Sequence, residues 1–441
     1  MMNERKVMAN ASWIIGLQIV KAILSFIISM LTARYLGPSD FGLINYASSI
    51  VSFVAPVMYL GLNCVLVQEF VSNSEKEGET IGTAVVLSLS SSLLCIGGIV
   101  SFAAIANRGE TETIIVCALY SILLIFQSAD LVLYWFQANL LSKYSSIASL
   151  CSYGIVSAYK IFLLITHKGV RWFAISSALD YFAIAVILMI LYHKLGGRKM
   201  SFSRTAARRM LKKSKYYIIA DMMVAVFAQT DRIMLKLMID DAATGYYSAA
   251  VSCSVMTGFV FSAIIDSFRP LIFENKQNNN EKYEENLSKL YSIIIYLSLI
   301  QSVFITIFAR LIIGILCGSD YEPSVEILRL VVWYTTFSYL GSVRNIWMLA
   351  ENKQKYLWFI NLCGALSNII LNYILIPFMG CMGAALASLI TQFFTNVIIG
   401  FIMKPIRYNN KIMLRSLDPL LLASSVRSVV TAVKARTDKS K

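Results

Sequence analysis

The chain has 441 residues, 57% of them hydrophobic and 15% charged, with 39 Lys+Arg against 25 Asp+Glu and a formal net charge of +14. A single soluble core stops growing at roughly 250–300 residues in total, so this apolar content excludes a water-soluble enzyme and makes the bilayer the solvent for much of the surface. In a membrane chain the positive balance reads first as orientation and not as a nucleic-acid footprint; the eight cysteines, scattered singly with no C-x-x-C pair and no His nearby, point to neither a disulfide framework nor a zinc site.

Long apolar runs broken by polar punctuation predict twelve transmembrane helices, at 12–33, 43–65, 82–105, 114–137, 147–166, 173–192, 216–238, 246–268, 290–316, 325–349, 357–376 and 384–403. The first run follows Arg5 and Lys6 as a signal peptide would, but it is too long for an h-region, carries Lys21 and lacks a small-x-small cleavage site before Arg34. It is therefore read as a helix. Sorting the basic residues by alternate connections puts 28 on the side of both termini and four, Arg34, Arg108, Lys168 and Arg171, on the other. Because retained loops carry the Lys/Arg excess on the cytoplasmic side, both termini are expected inside. The stretch 193–215 holds nine basic and no acidic residues and divides the spans six and six. The expected chain is thus an all-α polytopic membrane protein with an N-terminal lobe at 1–192, a basic cytoplasmic linker at 193–215, a C-terminal lobe at 216–403 and a basic cytoplasmic tail at 404–441. Within the tail, Leu420 to Val433 is amphipathic but too short and polar to span, and reads as surface-lying or disordered.

Seven cations remain inside the predicted spans: Lys21, Lys160, Arg232, Lys236, Arg310, Arg329 and Arg344. A charge at the bilayer centre costs at least about 2.5–3.5 kcal/mol, so such residues face protein or a wet cavity. Polar residues line up with them at helical spacing. The first helix carries Asn10, Gln18, Lys21, Ser25, Ser29 and Thr32 within about 100° of arc, and Lys21 lies roughly 13 Å from the helix start. The second carries Asn45, Ser49, Ser52, Pro56, Tyr59 and Asn63; the fifth Tyr153, Ser157 and Lys160; the seventh Asp221, Ala225, Gln229, Arg232 and Lys236; the eleventh Asn361, Ala365, Asn368 and Asn372.

Two readings of these stripes stay open: helix–helix contact through small and hydrogen-bonding residues, preferred for Ala384, Ala387, Ser388 and Thr391, and the wall of a central hydrated cavity. The seven cations outnumber the acids of the same spans, among them Asp130, Asp180, Asp221 and Asp231. Lys21 and Arg232 are therefore expected to line a cavity of surplus positive charge, which prefers an anionic substrate, with Arg310 and Lys160 as further candidates. Lys160, Lys236, Arg329 and Arg344 lie near span ends, where long side chains snorkel. The four aspartates are candidate sites for a coupling proton or sodium ion; structural pairing with Arg232 or Lys236 is the alternative for Asp221 and Asp231. No resident metal, cofactor or G-x-x-x-x-G-K-[ST] motif is expected.

A weak internal echo links Phe41-Gly42 through Ala47 with Thr244-Gly245-Tyr246-Tyr247 through Ala250. Six spans per half would make the halves parallel repeats about an axis along the membrane normal. Further segments are Arg34-Tyr-Leu-Gly-Pro-Ser-Asp-Phe-Gly42, Leu60-Gly-Leu-Asn63, Trp135-Phe-Gln137, Gln229-Thr-Asp231-Arg232-Ile-Met-Leu235, Gly318-Ser-Asp-Tyr321, Asn368-x3-Asn372 and Ile376-Pro377-x2-Gly380-x2-Gly383-Ala-Ala385. Taken singly these are ordinary turns and helix ends; in this order and spacing, over about residues 10 to 403, the chain resembles the polysaccharide transporters of the multidrug/oligosaccharidyl-lipid/polysaccharide exporter superfamily. Its likeness is greatest to the bacterial O-antigen repeat-unit flippases of the Wzx type. The resemblance implies two six-helix lobes around a cationic cavity, and export of a polyprenyl-pyrophosphate-linked oligosaccharide from the inner to the outer leaflet of the cytoplasmic membrane, with membrane lipids, a polysaccharide polymerase and a chain-length regulator as partners. After Gln137 the chain reads Ala-Asn-Leu-Leu, without the acid common there in the family, so no role is carried onto that loop.

Three rivals are weaker. A drug or small-solute exporter of the same superfamily would favour cavity carboxylates, and the excess here is basic. A polymerase, ligase or acyltransferase would bring a large periplasmic loop or a His/Asp cluster, whereas His167 and His193 are expected at opposite faces. A peptidoglycan lipid-precursor flippase normally has fourteen helices.

Overall fold

The protein was analysed as a computed structural model that describes residues 4–419, with side chains from residue 16 on except that of residue 74. The side chain of Asn10 and the stretch from Leu420 to Val433 lie outside the described residues. Within them the chain is all-helical, as it must be where no water satisfies the backbone. Among the described residues eight helices are long and apolar enough to cross a membrane, or nine if one bent pair is a single span. The protein is a multi-pass membrane protein.

Helix α1 (Glu4–Tyr59) covers the first two predicted spans and is kinked at Gly37 (φ 77°), directly before Pro38. Glycine takes this left-handed backbone without strain, and proline removes the next donor. After the short α2 (Leu66–Ser72) come α3 (Glu77–Ala106), α4 (Thr111–Ser121), α5 (Leu123–Gln127), α6 (Val132–Ala138), α7 (Ser142–Ile165) and α8 (Val170–Lys194). Next are α9 (Arg204–Met238), α10 (Asp241–Ser254), α11 (Gly258–Asn278), α12 (Asn280–Leu316) and α13 (Ser324–Ala350), then α14 (Leu357–Met379), α15 (Cys381–Phe393), α16 (Ile399–Ile402) and α17 (Arg407–Arg415). The predicted eighth span is broken, with a 46° bend between α10 and α11, whereas the fourth runs from α4 to α6 through a 3-10 stretch at Ser128–Leu131 and the twelfth from α15 to α16 through a π-type turn at Phe394–Ile398. Helices α9 and α13 cover the seventh and tenth predicted spans, but their charged and hydroxyl-bearing residues leave them less apolar than the eight.

Packing divides the chain into two compact units, Met1–Ala249 and Ala250–Lys441. The first has an apolar cluster around Tyr46, Met58, Ile99 and Leu124, and another around Leu66, Phe70, Trp135, Phe136 and Tyr192. The second is built on Tyr283, Leu287, Tyr291, Trp347 and Ile406. Large apolar side chains such as Leu94, Ile165, Ile300 and Phe378 remain exposed, as a lipid-facing surface requires.

The basic stretch 193–215 is partly strap and partly helix. Gly78 and Gly82 let it lie against α3: a Cβ would meet Lys199 O at 2.3 Å and Ser201 O at 2.5 Å respectively. Ser201 N donates to Gly78 O, and Ser203 N to Thr83 Oγ1. From Arg204 the chain is already α9, capped by Ser203, whose hydroxyl accepts from Ala206 N. Fully buried Glu69 holds Arg209 and Lys213 at 3.0 and 2.6 Å. Because α9 packs along α1, the seventh predicted span belongs by packing to the first unit.

The two glycines of the sequence echo meet. A Cβ on Gly42 would lie 1.8 Å from Asp241 O, and one on Gly245 2.0 Å from Pro38 O. Backbone, unlike a long side chain, cannot swing aside. Gly42→Ala and Gly245→Ala are each expected to destabilise the first unit by about 1–3 kcal/mol, read as a lower unfolding temperature in detergent; Gly97→Ala, where a Cβ meets nothing, is the neutral control.

Candidate functional site

Serines 142, 145, 146 and 149 recur at i, i+3, i+4 and i+7, which puts them on one face of α7. Helix α1 packs against α7 and brings Gln18 and Lys21 to that face. The result is a cavity of about 330 Å³ walled by Gln18, Lys21, Gln137 and these serines. Lys21 Nζ donates to Ser149 Oγ at 2.7 Å and lies 5.6 Å from the centroid of the Tyr153 ring. Neither partner carries a negative charge, so the ammonium has no direct ion pair among the described residues. Half-buried Asp130 is within its electrostatic reach. The Tyr59 hydroxyl donates to Asp130 Oδ2 at 3.5 Å, and Asp130 Oδ1 has no hydrogen-bond partner.

A second cavity, of about 320 Å³, also uses α1 and α7. Ser25, Ser29, Thr32, Asn45, Ser177 and Lys160 line it together with Tyr120, Tyr153, Phe41 and Phe173. Tyr153 borders this space and receives Lys21 over its ring, so the two cavities follow each other along the same helix pair. Lys160 is half-buried and makes no hydrogen bond or direct ion pair among the described residues; Asp180 is the acid that acts on it. Asp180 is itself anchored by Ser152, whose hydroxyl donates to its carbonyl and to Oδ1, both at 2.8 Å.

The seventh-helix stripe is distributed over different neighbours. Asn63 Nδ2 donates to Asp221 Oδ2 at 3.3 Å. Arg232 reaches Gln229 Oε1 at 3.4 Å, its Nε is buried without a partner, and it has no ion pair among the described residues. It lines neither cavity. Asp231 accepts from the Tyr247 hydroxyl. Lys236 is structural: its side chain is 4% exposed and sits between Glu110 at 2.6 Å and Asp241 at 2.8 Å. That hydrogen bond from Lys236 holds the Glu110 carboxyl below the usual glutamate range.

Other expected residues fall elsewhere. Ser52 is half-buried on α1 and Asn361 half-buried on α14, neither on a cavity wall. Asn368 is fully buried, with Nδ2 toward Ser388 Oγ at 3.4 Å and Oδ1 accepting from Asn372, which is helix–helix contact between α14 and α15. Arg310 is exposed and paired with Glu322 at 2.7 Å, so the structure does not bring it to a cavity. Arg329 pairs with Glu326. Arg344 does not snorkel: it is 4% exposed and donates to Thr395 O at 2.6 Å, a carbonyl in the π-type turn where the regular i→i−4 pattern is interrupted. Sequence reasoning also passed over the α7 serines, although their spacing was visible.

Residues 7–276 match the model of the polysaccharide biosynthesis protein family. The chain belongs to that family. Among curated proteins it is similar to a probable low-salt glycan biosynthesis flippase of Haloferax volcanii, 22% identical over 81% of this chain and 75% of the relative. It is similar as well to a capsular polysaccharide biosynthesis protein of Staphylococcus aureus, 21% identical over 87% and 96%. A third match, to an uncharacterized membrane protein of Methanocaldococcus jannaschii, is 25% identical over 59% of this chain and spans only about half, 53%, of that protein. Among solved structures, the lipid II flippase MurJ in an inward closed conformation has a TM-score of 0.71 over 92% of this chain and 91% of that one at 17% identity. An inward-facing multidrug resistance MATE family transporter has 0.67 over 90% and 96% at 15% identity. The family member described here therefore shares the MATE and MurJ fold.

Proposed function

We propose that this protein is a flippase, not an enzyme, which moves a polyprenyl-pyrophosphate-linked oligosaccharide of the O-antigen repeat-unit type from the cytoplasmic to the periplasmic leaflet of a bacterial inner membrane. The observation that carries the reading is Lys21, an ammonium without a direct counter-ion among the described residues, on the wall of a hydroxyl-lined cavity inside an apolar helix bundle. Membership of a polysaccharide biosynthesis family and the flippase functions named for the Haloferax relative and for MurJ support it. The lipid tail of such a substrate stays in hydrocarbon; only its pyrophosphate and sugars need replacement for lost hydration. Ammonium and guanidinium groups supply this to the pyrophosphate, and serine, asparagine and tyrosine supply it to hydroxyls. In this reading twelve spans with both termini inside form two six-helix lobes that alternate access, Lys21, Lys160 and Arg232 serve the anionic cargo, and Asp130, Asp180, Asp221 or Asp231 carries a coupling ion.

The test is translocation in proteoliposomes of a labelled polyprenyl-pyrophosphoryl disaccharide, scored by enzymatic access to the sugar from outside. Protein-dependent flipping that slows when ion gradients and membrane potential are collapsed is expected. Absence of flipping sinks the proposal, and flipping indifferent to the gradients removes the ion-coupled part.

A further inference from the structure

The cavity at Lys160 differs in chemistry from the one at Lys21. The Lys21 cavity offers a cation with serines and glutamines, a set suited to phosphate oxygens. The Lys160 cavity adds the aromatic side chains of Phe41, Tyr120 and Phe173 to hydroxyl and amide groups such as Ser29, Asn45 and Ser177. Flat apolar rings beside hydrogen-bonding groups fit a sugar ring, which has apolar C–H faces and a polar rim. Asn45 Nδ2 is occupied by Phe41 O at 2.8 Å, which leaves its Oδ1 as an acceptor for a ligand hydroxyl. Within this otherwise neutral lining Lys160 contributes one ammonium that no group among the described residues holds by a hydrogen bond. Its distance from the Lys21 station follows from α7: Ser149 and Lys160 are eleven residues apart, about 16 Å along a helix axis. One pyrophosphate cannot occupy both, but a pyrophosphate at one and a sugar at the other are compatible.

We propose that the Lys160 cavity is a saccharide subsite that selects a sugar bearing an anionic substituent, such as the carboxylate of a uronic acid, while the Lys21 cavity takes the pyrophosphate. The inference rests on the flippase reading and adds a specificity determinant to it. Asp180, anchored by Ser152, acts on the Lys160 ammonium; a sugar carboxylate adds the hydrogen-bonded partner that Lys160 lacks among the described residues.

The experiment uses the full chain in nanodiscs and two probes, polyprenyl-pyrophosphoryl disaccharides that end in glucuronic acid or in glucose and differ only in carboxylate against hydroxymethyl. Wild type should bind the acidic probe on the order of 10-fold more tightly, the scale of one hydrogen bond to a charged group. Lys160→Gln should lower affinity for the acidic probe to that for the glucose probe, and Lys160→Arg should restore the preference, which separates loss of charge from loss of fold. Equal affinity of wild type for the two probes overturns the inference and leaves the flippase reading standing. Equal weakening of both probes by Lys160→Gln also overturns it, because Lys160 would then contact the pyrophosphate. If wild type binds neither probe, the flippase reading falls and this inference with it.

Discussion

Lys236→Ala should lower the unfolding temperature of the purified protein more than removal of any other cation in α9. Lys236 is the one intramembrane cation of that helix with two direct acidic partners among the described residues, Glu110 from the connection before α4 and Asp241 at the start of α10. Removing one member of a buried ion pair costs about 3–5 kcal/mol, because the remaining charge stays desolvated. The two acids do not share that cost equally. The Glu110 side chain is 48% exposed and can turn to water, whereas that of Asp241 is 22% exposed and its Oδ1 already lacks a partner. Asp241 therefore bears most of the penalty, next to the Gly42 and Gly245 crossing where no slack exists. The loss should fall at the lower end of that range, about 3 kcal/mol. The depressed carboxyl of Glu110 fixes the sign of the pH effect. Its contribution is present above the ordinary glutamate range and is lost as pH falls through the depressed value, so acidification should narrow the gap between wild type and Lys236→Ala. Thermal unfolding in detergent at neutral and acidic pH checks both; equal unfolding temperatures at neutral pH would show that the double ion pair contributes nothing.

Helical periodicity made the stripes on α1 and α7 legible, because polar residues in an apolar run betray their spacing at once. It could not say which stripes face each other. Glu110 lies 126 residues before Lys236, and a single sequence holds no record of that meeting, so Lys236 read as a snorkelling cation alongside others of different fate. Arg310 illustrates a second limit. Hydropathy places it inside the ninth span, yet it pairs with Glu322 only twelve residues on, at the end of α12, where a long helix runs out toward water. Arg344 illustrates a third: its partner is the carbonyl of Thr395, and every residue has a carbonyl, so only the broken ladder of the π-type turn makes this one special. The bend in the eighth span and the 3-10 and π segments of the fourth and twelfth escaped for a related reason, since mean hydropathy is indifferent to how consecutive apolar residues are hydrogen-bonded. The glycines of the echo were visible as a pattern, but their contact with Pro38 and Asp241 backbone was not.

Lys21→Gln should act in the opposite sense to Lys236→Ala, abolishing translocation while leaving unfolding almost unchanged. Glutamine retains a donor for Ser149 Oγ but not the charge, and no acid depends on Lys21 for a direct ion pair, so little stability is at stake. Transport has more to lose. A hydrogen bond to a charged group is worth about 1.5–3 kcal/mol, or roughly 10- to 100-fold in affinity for a pyrophosphate. Lys21→Arg keeps the charge and should retain most of the flipping. Arg232→Gln is the informative comparison, because Arg232 also lacks an ion pair among the described residues but lines neither cavity of the first unit. If both glutamine variants stop flipping in proteoliposomes at normal protein level and unfolding temperature, the substrate meets a cation outside the α1–α7 wall as well as on it. If Lys21→Gln unfolds as early as Lys236→Ala, or flips at the wild-type rate, Lys21 is no cargo contact and the functional reading loses its main support.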